Sequence, residues 1–288
     1  MNSPADKLRK VLNRGGLTVP SCYDALGFRM IHQAGFPAAF LSGFSVSAAK
    51  LGVPDAGLLS YGEMAGQARD VAASAPMPLI VDADTGFGNA QNVQRTVQGL
   101  ASAGAACLML EDQESPKRDF GAPGAVVSRA DALRRVKAAV QARDAGADIL
   151  IIGRTDARNA AGADSGLAEA LWRAQAFADL GADILFVTGP HDRREMQKIR
   201  AATKLPLIVQ VDEPGRPALR PASVHKIGFT IALYGVTLVF AAAGAFRDAI
   251  RHMKAGRAVP ADRVVTPAAM SEIVGVPAYL KVDRDLKR

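Results

Sequence analysis

Four acids, Asp55, Asp82, Asp84 and Glu111, each stand just past an apolar run, the last three within VDADTGFGN and LMLEDQ. A carboxylate at the end of a buried strand is costly to desolvate unless a positive group meets it there. Hard oxygen donors with no His or Cys beside them select Mg2+, with Mn2+ as a substitute. Magnesium keeps several waters and takes few direct carboxylates, so one direct ligand with the others acting through water is the expected arrangement. A lone Asp-x-Asp caps helices or sits solvated as readily as it binds metal, but Glu111 and Asp55 favour the metal. Gly86 and Gly88 let the chain turn sharply beside the pair.

Around these acids lie groups suited to an anionic substrate. Arg154, in IIGRTDA, can hold a carboxylate bidentately or form an ion pair with one of the acids. The Ser42-Gly43 turn offers backbone N–H groups to a carboxylate or oxyanion, or is a plain strand-to-loop turn. Lys117, Arg118 and Asp119 lie in a long Gly- and Pro-containing connection, EDQESPKRDFGAPGAVVS, which reads as a lid that excludes water or as a solvated loop. Cys22 and Cys107 read as small apolar residues. Of the four histidines only His191, just after the sixth apolar run, is placed to reach such a site.

Something must carry these residues to one place. Eight short aliphatic runs recur, LTVPS, AAFLSG, PLIVDAD, ACLMLED, DILIIGRTD, DILFVTG, LPLIVQV and FTIALYG, separated by amphipathic helical stretches such as NVQRTVQGLASAG. Continuous apolar strands alternating with helices indicate a parallel sheet covered by helices, and eight units indicate a (β/α)8 barrel of the TIM type. AGF, AGA, AGA and LGA place Gly where helices stop, before the second, fourth, fifth and sixth runs. In such a barrel chemistry sits at the strand C-termini, where Tyr23, Ser42, Gly43, Asp82, Asp84, Glu111, Arg154, Thr188, Gln210 and Tyr234 fall. The whole of 1–288 reads as one barrel domain. Residues 258–288 read as a C-terminal helical oligomerisation tail, whose Met270, Ile273, Val274 and Tyr279 are expected to pack on a neighbouring subunit.

Composition narrows the field. The chain is 49% hydrophobic with a net charge of +7, but its Lys and Arg are scattered among acids. Nucleic-acid binding would want a clustered basic stripe with interleaved aromatics, and neither is present. No apolar run of ~20 residues spans a membrane, and the charged N-terminus lacks the apolar core of a secretion signal. Two distant cysteines make no disulfide framework, so a reducing cytoplasm is the expected setting.

With those residues in place, the chain resembles the isocitrate lyase and phosphoenolpyruvate mutase superfamily across essentially the whole barrel. The matches are FLSGFSVSAAKLGVPD, PLIVDADTGFGN, LEDQESPKR, IIGRTDA and ADILFVTG. The resemblance implies a Mg2+-dependent enzyme that holds a 2-oxo acid or its enolate through a carboxylate and the 2-oxygen. Asp84 would bind the metal directly, with Asp55, Asp82 and Glu111 in its water shell. Arg154 and the Ser42-Gly43 turn, with Phe44 beside it, would hold carboxylate, and Tyr23 would lie near the reacting oxygen. It further implies a homotetramer with a swapped C-terminal helix. Methylisocitrate-type lyases carry K-[KR]-C-G-H in the lid, where this chain has Asp119-Phe120-Gly121 after Lys117-Arg118. Those enzymes also place Glu and Asn where Thr188 and Gln210 stand. Phosphonopyruvate enzymes usually read E-D-K, against Glu111-Asp112-Gln113 here, and oxaloacetate decarboxylases carry a His in the last strand region, where Tyr234 and Val236 stand. The resemblance therefore implies a carbon-carbon lyase acting on a small anionic 2-hydroxy or 2-oxo dicarboxylate through a metal-stabilised enolate and releasing pyruvate or an analogue. Asp119 is then the candidate acid in place of the missing thiol. A phosphonopyruvate-type mutase or hydrolase, or a non-catalytic 2-oxo acid binding relative, are the alternatives.

Overall fold

A computed structural model describes residues 3–117, 124–160, 165–212 and 219–287. The eight apolar runs form strands β1 (Leu17–Cys22), β2 (Ala39–Leu41), β3 (Leu79–Asp82), β4 (Cys107–Glu111), β5 (Leu150–Thr155), β6 (Ile184–Val187), β7 (Leu207–Gln210) and β8 (Ile231–Tyr234). All pair in parallel in sequence order, and β1 pairs with β8 to close the barrel. The helices are α1 (Pro4–Leu12), α2 (Ala25–Gln33), α3 (Gly43–Val46), α4 (Tyr61–Ser74), α5 (Ala90–Ser102), α6 (Arg129–Asp144), α7 (Leu167–Asp179), α8 (Arg193–Ala201), α9 (Pro221–Ile227), α10 (Thr237–Lys254), α11 (Pro267–Val274) and α12 (Val276–Leu286).

Strand alternation sorts the apolar residues into two populations. Ile80, Cys107, Met109, Leu150, Ile152, Ile184, Phe186, Ile208, Ile231 and Leu233 fill the barrel interior, and Leu8 of α1 joins them at 0% exposure as a plug. The intervening residues, such as Leu79, Val81, Leu108, Leu110 and Ile151, face the helices. Because both strand faces are buried, the sequence shows unbroken apolar runs and hides this alternation. Continuing each interior column by two residues reaches Asp82 on β3, Glu111 on β4, Arg154 on β5, Thr188 after β6 and Gln210 on β7. Period two therefore delivers the polar residues to one mouth of the barrel, the C-terminal one.

Four helix-to-strand turns end in glycines at positive φ, Gly35 (81°), Gly104 (91°), Gly146 (118°) and Gly181 (98°), at the positions where the AGF, AGA and LGA signals fall. The C-terminal tail is helical. Its helix α11 leans on α2 of its own chain, where Arg29 Nε and Gln33 Nε2 donate to the Ile273 carbonyl at 3.0 and 3.2 Å. Ile273 is thus partly covered within the chain, while Met270, Val274 and Tyr279 stay exposed. No described helix is long and apolar enough to cross a membrane.

Candidate active site

Asp82 ends β3 and organises two backbones with one carboxylate. Its Oδ2 accepts the Gly43 N–H at 3.1 Å, at the start of α3, and its Oδ1 accepts the Asp84 N–H at 3.1 Å. The Ser42-Gly43 turn is thereby fastened to the acids. Ser42 itself caps α3 by accepting the Ser45 N–H, so the Gly43 N–H and the Ser42 hydroxyl both already have partners in the chain. A Cβ at Gly43 would lie 3.0 Å from Asp82 Oδ2, so a side chain there would push on the carboxylate that fastens the turn. Phe44, 37% exposed, stacks at 5.8 Å on Phe240 of α10.

The next turn is strained. Asp84 has φ +50° and Phe87 φ +61°, left-handed values that non-glycine residues seldom adopt, and Asx residues tolerate them best. Gly86, φ +90°, has no room for a side chain: a Cβ would meet Val93 Cγ2 at 2.4 Å. The loop thus turns Asp84 back over the barrel mouth toward Glu111, whose backbone N–H donates to the Asp84 carbonyl at 2.9 Å.

Lys117 is the centre of the cluster. Its Nζ lies 2.9 Å from Asp55 Oδ2, 3.2 Å from Glu111 Oε1 and 3.9 Å from Asp84 Oδ1. Burial pulls its pKa down, but Glu111, Asp84 and Asp55 outweigh this and hold it well above the ordinary lysine value. Arg154, packed over the Phe186 ring, forms an ion pair from Nη1 to Glu111 Oε2 at 2.8 Å and donates from Nε and Nη2 to both Asp156 oxygens at 2.9 Å. The ion-pair reading of Arg154 holds: it is paired through Nε and Nη2 with Asp156 and through Nη1 with Glu111. Thr188 Oγ1 donates to Asp156 Oδ1 at 3.0 Å.

The electrostatic balance is uneven. Five carboxylates, on Asp55, Asp82, Asp84, Glu111 and Asp156, face two cations, Lys117 and Arg154, leaving an excess of three negative charges when all are ionised (5 − 2). Asp84 Oδ1 and both Glu111 oxygens are shut off from solvent and accept no hydrogen bond. Burial, then the Glu111 charge, push Asp82 up to about 6 and Asp84 to about 7. Asp156 goes the other way: burial raises it, but the Arg154 guanidinium holds it below the usual carboxylate range.

Among the described residues, no three acidic, His or Cys side chains converge as a ready-made coordination shell. Oxygen-only donors, three buried carboxylate oxygens without hydrogen bonds and an unbalanced negative charge have the chemistry of a site that could hold a hydrated dication.

Tyr23, just after β1, does not join the cluster. It packs against the outer core beside Leu26 and Met30 of α2, makes no hydroxyl hydrogen bond among the described residues, and is raised in pKa by burial and Asp24. Gln210 ends β7 against Gly235. His191 is engaged by Arg158 and Asn159 at 2.7 and 2.8 Å rather than by the acids. Arg118 and Asp119 lie outside the described residues. Asp156 was not among the residues singled out from sequence, although its position two after Arg154, on the same strand face, is the signal that finds it.

The fold and this carboxylate-lined mouth define a (β/α)8-barrel enzyme of the isocitrate lyase and phosphoenolpyruvate mutase superfamily. The chain belongs to the phosphoenolpyruvate phosphomutase family, whose model matches residues 8–254. It is 35% identical over 290 residues to the 2,3-dimethylmalate lyase of Eubacterium barkeri, covering 99% of this chain and 98% of the relative. Among solved structures, oxaloacetate acetylhydrolase with the inhibitor 3,3-difluorooxalacetate superposes with a TM-score of 0.91 at 30% identity, covering 99% of this chain and 97% of the other. Phosphonopyruvate hydrolase in complex with oxalate and Mg++ gives 0.86 at 28% identity, covering 100% of each.

Proposed function

We propose that the protein is a Mg2+-dependent carbon-carbon lyase that cleaves a small 2-hydroxy or 2-oxo dicarboxylate by retro-aldol cleavage or decarboxylation and releases pyruvate or an analogue. The observation that carries this is the excess of negative charge at the barrel mouth, with Asp84 Oδ1 and both Glu111 oxygens buried and without hydrogen bonds. Asp84 would hold the metal directly, with Asp55, Asp82 and Glu111 holding its waters. Bound there, Mg2+ supplies a Lewis acid that stabilises negative charge developing on the 2-oxygen.

The chain's own residues do the rest. Arg154 offers its remaining N–H bonds to the substrate carboxylate, with Asp156 keeping the guanidinium in plane. Lys117 lends positive charge to the same mouth and anchors the segment that leads into Arg118 and Asp119. Ser42, Gly43 and Phe44 form the wall facing β3, and Thr188 and Gln210 the wall at β6 and β7. Tyr23, which packs by α2 and makes no contact with the acids among the described residues, is given no part in the step. Asp119 is the candidate acid for the leaving carbon.

The protein is further proposed to work as a homotetramer. Pro20, Leu26, Met30, Phe36 and Leu238 line an apolar groove of about 510 Å³ between α2 and the start of α10. Phe246, Ile250 and Met253 of α10 stand 67, 59 and 61% exposed. A second copy is the natural cover for both.

The test is Mg2+-dependent pyruvate release from oxaloacetate, dimethylmalate, methylisocitrate and phosphonopyruvate, with Asp84→Asn alongside. Release from a carbon acid, lost in the variant, supports the proposal. Release only from phosphonopyruvate moves the protein to carbon-phosphorus chemistry. Saturable oxalate binding with silence across such a panel indicates a binding protein.

A further inference from the structure

Arg173 lies on α7, away from the carboxylate cluster, and is completely buried at 0% exposure. A charged side chain there is costly unless every donor has a purpose. Its Nε donates to Glu169 Oε1 at 2.7 Å, its Nη1 to Asp112 Oδ2 at 3.1 Å and its Nη2 to the Val127 carbonyl at 2.9 Å. Asp112 is 1% exposed and directly follows Glu111. Its other oxygen, Oδ1, accepts the backbone N–H of Asp156 at 2.9 Å. Asp156 in turn grips Arg154 through both carboxylate oxygens.

These contacts form one unbroken chain from α7 to the substrate end of the site. They also clamp the base of the connection between β4 and α6. Arg173 takes Asp112 at its start and the Val127 carbonyl at its end, while the Val127 N–H donates to the Asp112 carbonyl at 2.9 Å. The two ends of the segment that bears Lys117 are thereby pinned to the same guanidinium that backs Arg154.

We propose that Arg173, acting through Asp112, is a positioning residue that fixes the Arg154 guanidinium through Asp156 and holds the base of the 112–127 segment. This rests on the reading of Arg154 as the group that holds substrate carboxylate. The planar fork is essential to it, because a lysine ammonium cannot serve Glu169, Asp112 and Val127 in three directions at once. The contacts of Arg173 run to Glu169, Asp112 and Val127 and reach Arg154 through Asp156, so its substitution is read first in carboxylate binding.

The experiment compares wild-type protein, Arg173→Lys, and the double variant Arg173→Met/Asp112→Leu, which removes the Arg173–Asp112 pair together and leaves Glu169 its partner Arg129. Mn2+ affinity is read by electron paramagnetic resonance and oxalate affinity in saturating Mn2+ by calorimetry. Emission of the only tryptophan, Trp172, whose ring lies 4.0 Å from the Arg129 guanidinium, reports that α7 is intact. Both variants are expected to keep Trp172 emission and Mn2+ affinity while binding oxalate about tenfold or more weakly, the scale of a displaced binding group. A purely structural ion pair predicts the opposite: thermal stability falls, but the folded variants bind oxalate as tightly as wild type. That result in both variants overturns the proposal. Wild-type protein that binds Mn2+ but not oxalate would instead remove the assignment of Arg154, and with it the role of Arg173, while leaving the metal site standing.

Discussion

Replacing Asp84 with Asn is expected to stabilise the metal-free protein at pH 8 while abolishing turnover. Asn keeps the size of Asp and accepts the left-handed backbone at φ +50°, so the strain of the turn is unchanged. What changes is one negative charge in a crowded, buried cluster. Asp84 is pushed up to about 7 and Asp82 to about 6, by burial and by Glu111. A carboxyl whose folded pKa is raised contributes stability that is fully present below the unfolded value and is lost as pH rises through the folded one. Between pH 6 and pH 8, Asp84 crosses its folded pKa and costs the metal-free protein about 1 kcal/mol, with Asp82 adding less because its lower folded pKa is passed early in that interval. At roughly 2–4 °C per kcal/mol for a chain of this size, Tm should fall by about 3–6 °C across that interval. Saturating Mg2+ favours the ionised carboxylates, so it should raise Tm more at pH 8 than at pH 6. The assay is differential scanning fluorimetry of chelator-treated wild type and Asp84→Asn at both pH values. Asp112, also raised to about 6 by burial and by Asp156, is common to both proteins and cancels in the comparison. A metal-free wild type whose Tm is level or rises toward pH 8, or an Asn variant less stable than wild type there, would refute the reasoning.

Two further outcomes follow from the geometry. Gly86→Ala forces a Cβ to within 2.4 Å of Val93 at a φ of +90°, and should destabilise by about 2–4 kcal/mol in urea unfolding, with the metal site damaged as well because the turn carries Asp84. Phe246→Asp and Ile250→Asp together alter only exposed positions of α10, so the chain should fold but elute in light scattering as a smaller species; an unchanged mass would count against α10 as an interface.

How much of this was legible in the sequence depends on how local the signal was. The eight strands and their order follow from runs such as PLIVDAD and DILIIGRTD, because a parallel strand buried on both faces is apolar throughout and ends abruptly in polar residues. The same feature conceals which residues face the barrel axis. Leu108 and Met109 are indistinguishable as letters, yet one packs on helices and the other fills the interior. Asp82, Glu111 and Arg154 were readable because each ends an apolar run. Lys117 was readable only as a loop cation; its approach to Glu111 depends on where a long connection folds back, which spacing does not specify. Tyr23 shows the converse. It follows β1 as regularly as Arg154 ends β5, but it packs on the helix-facing core beside Cys22 and lines the apolar groove by α2.

Arg173 marks the limit of pattern reading. Glu169 and Arg173 are spaced i, i+4 on a helix, and such pairs are ordinarily solvated and worth a few tenths of a kcal/mol, about 0.3–0.5. Here the pair is turned inward, Glu169 at 8% exposure and Arg173 at 0%, because the partner that decides its orientation, Asp112, is 61 residues away. A long-range buried ion pair cannot be inferred from either half alone. Once seen, it separates two kinds of acid in the motif Glu111-Asp112. Glu111 faces the mouth, its oxygens ion-paired with Lys117 and Arg154 but accepting no hydrogen bond, whereas Asp112, one residue on and on the opposite side of the strand end, is held by Arg173 and the Asp156 amide. The first meets only the cations of the mouth and the second is bound into the scaffold by a backbone amide and a buried guanidinium, so adjacent carboxylates divide between chemistry and support according to which side of the strand they leave.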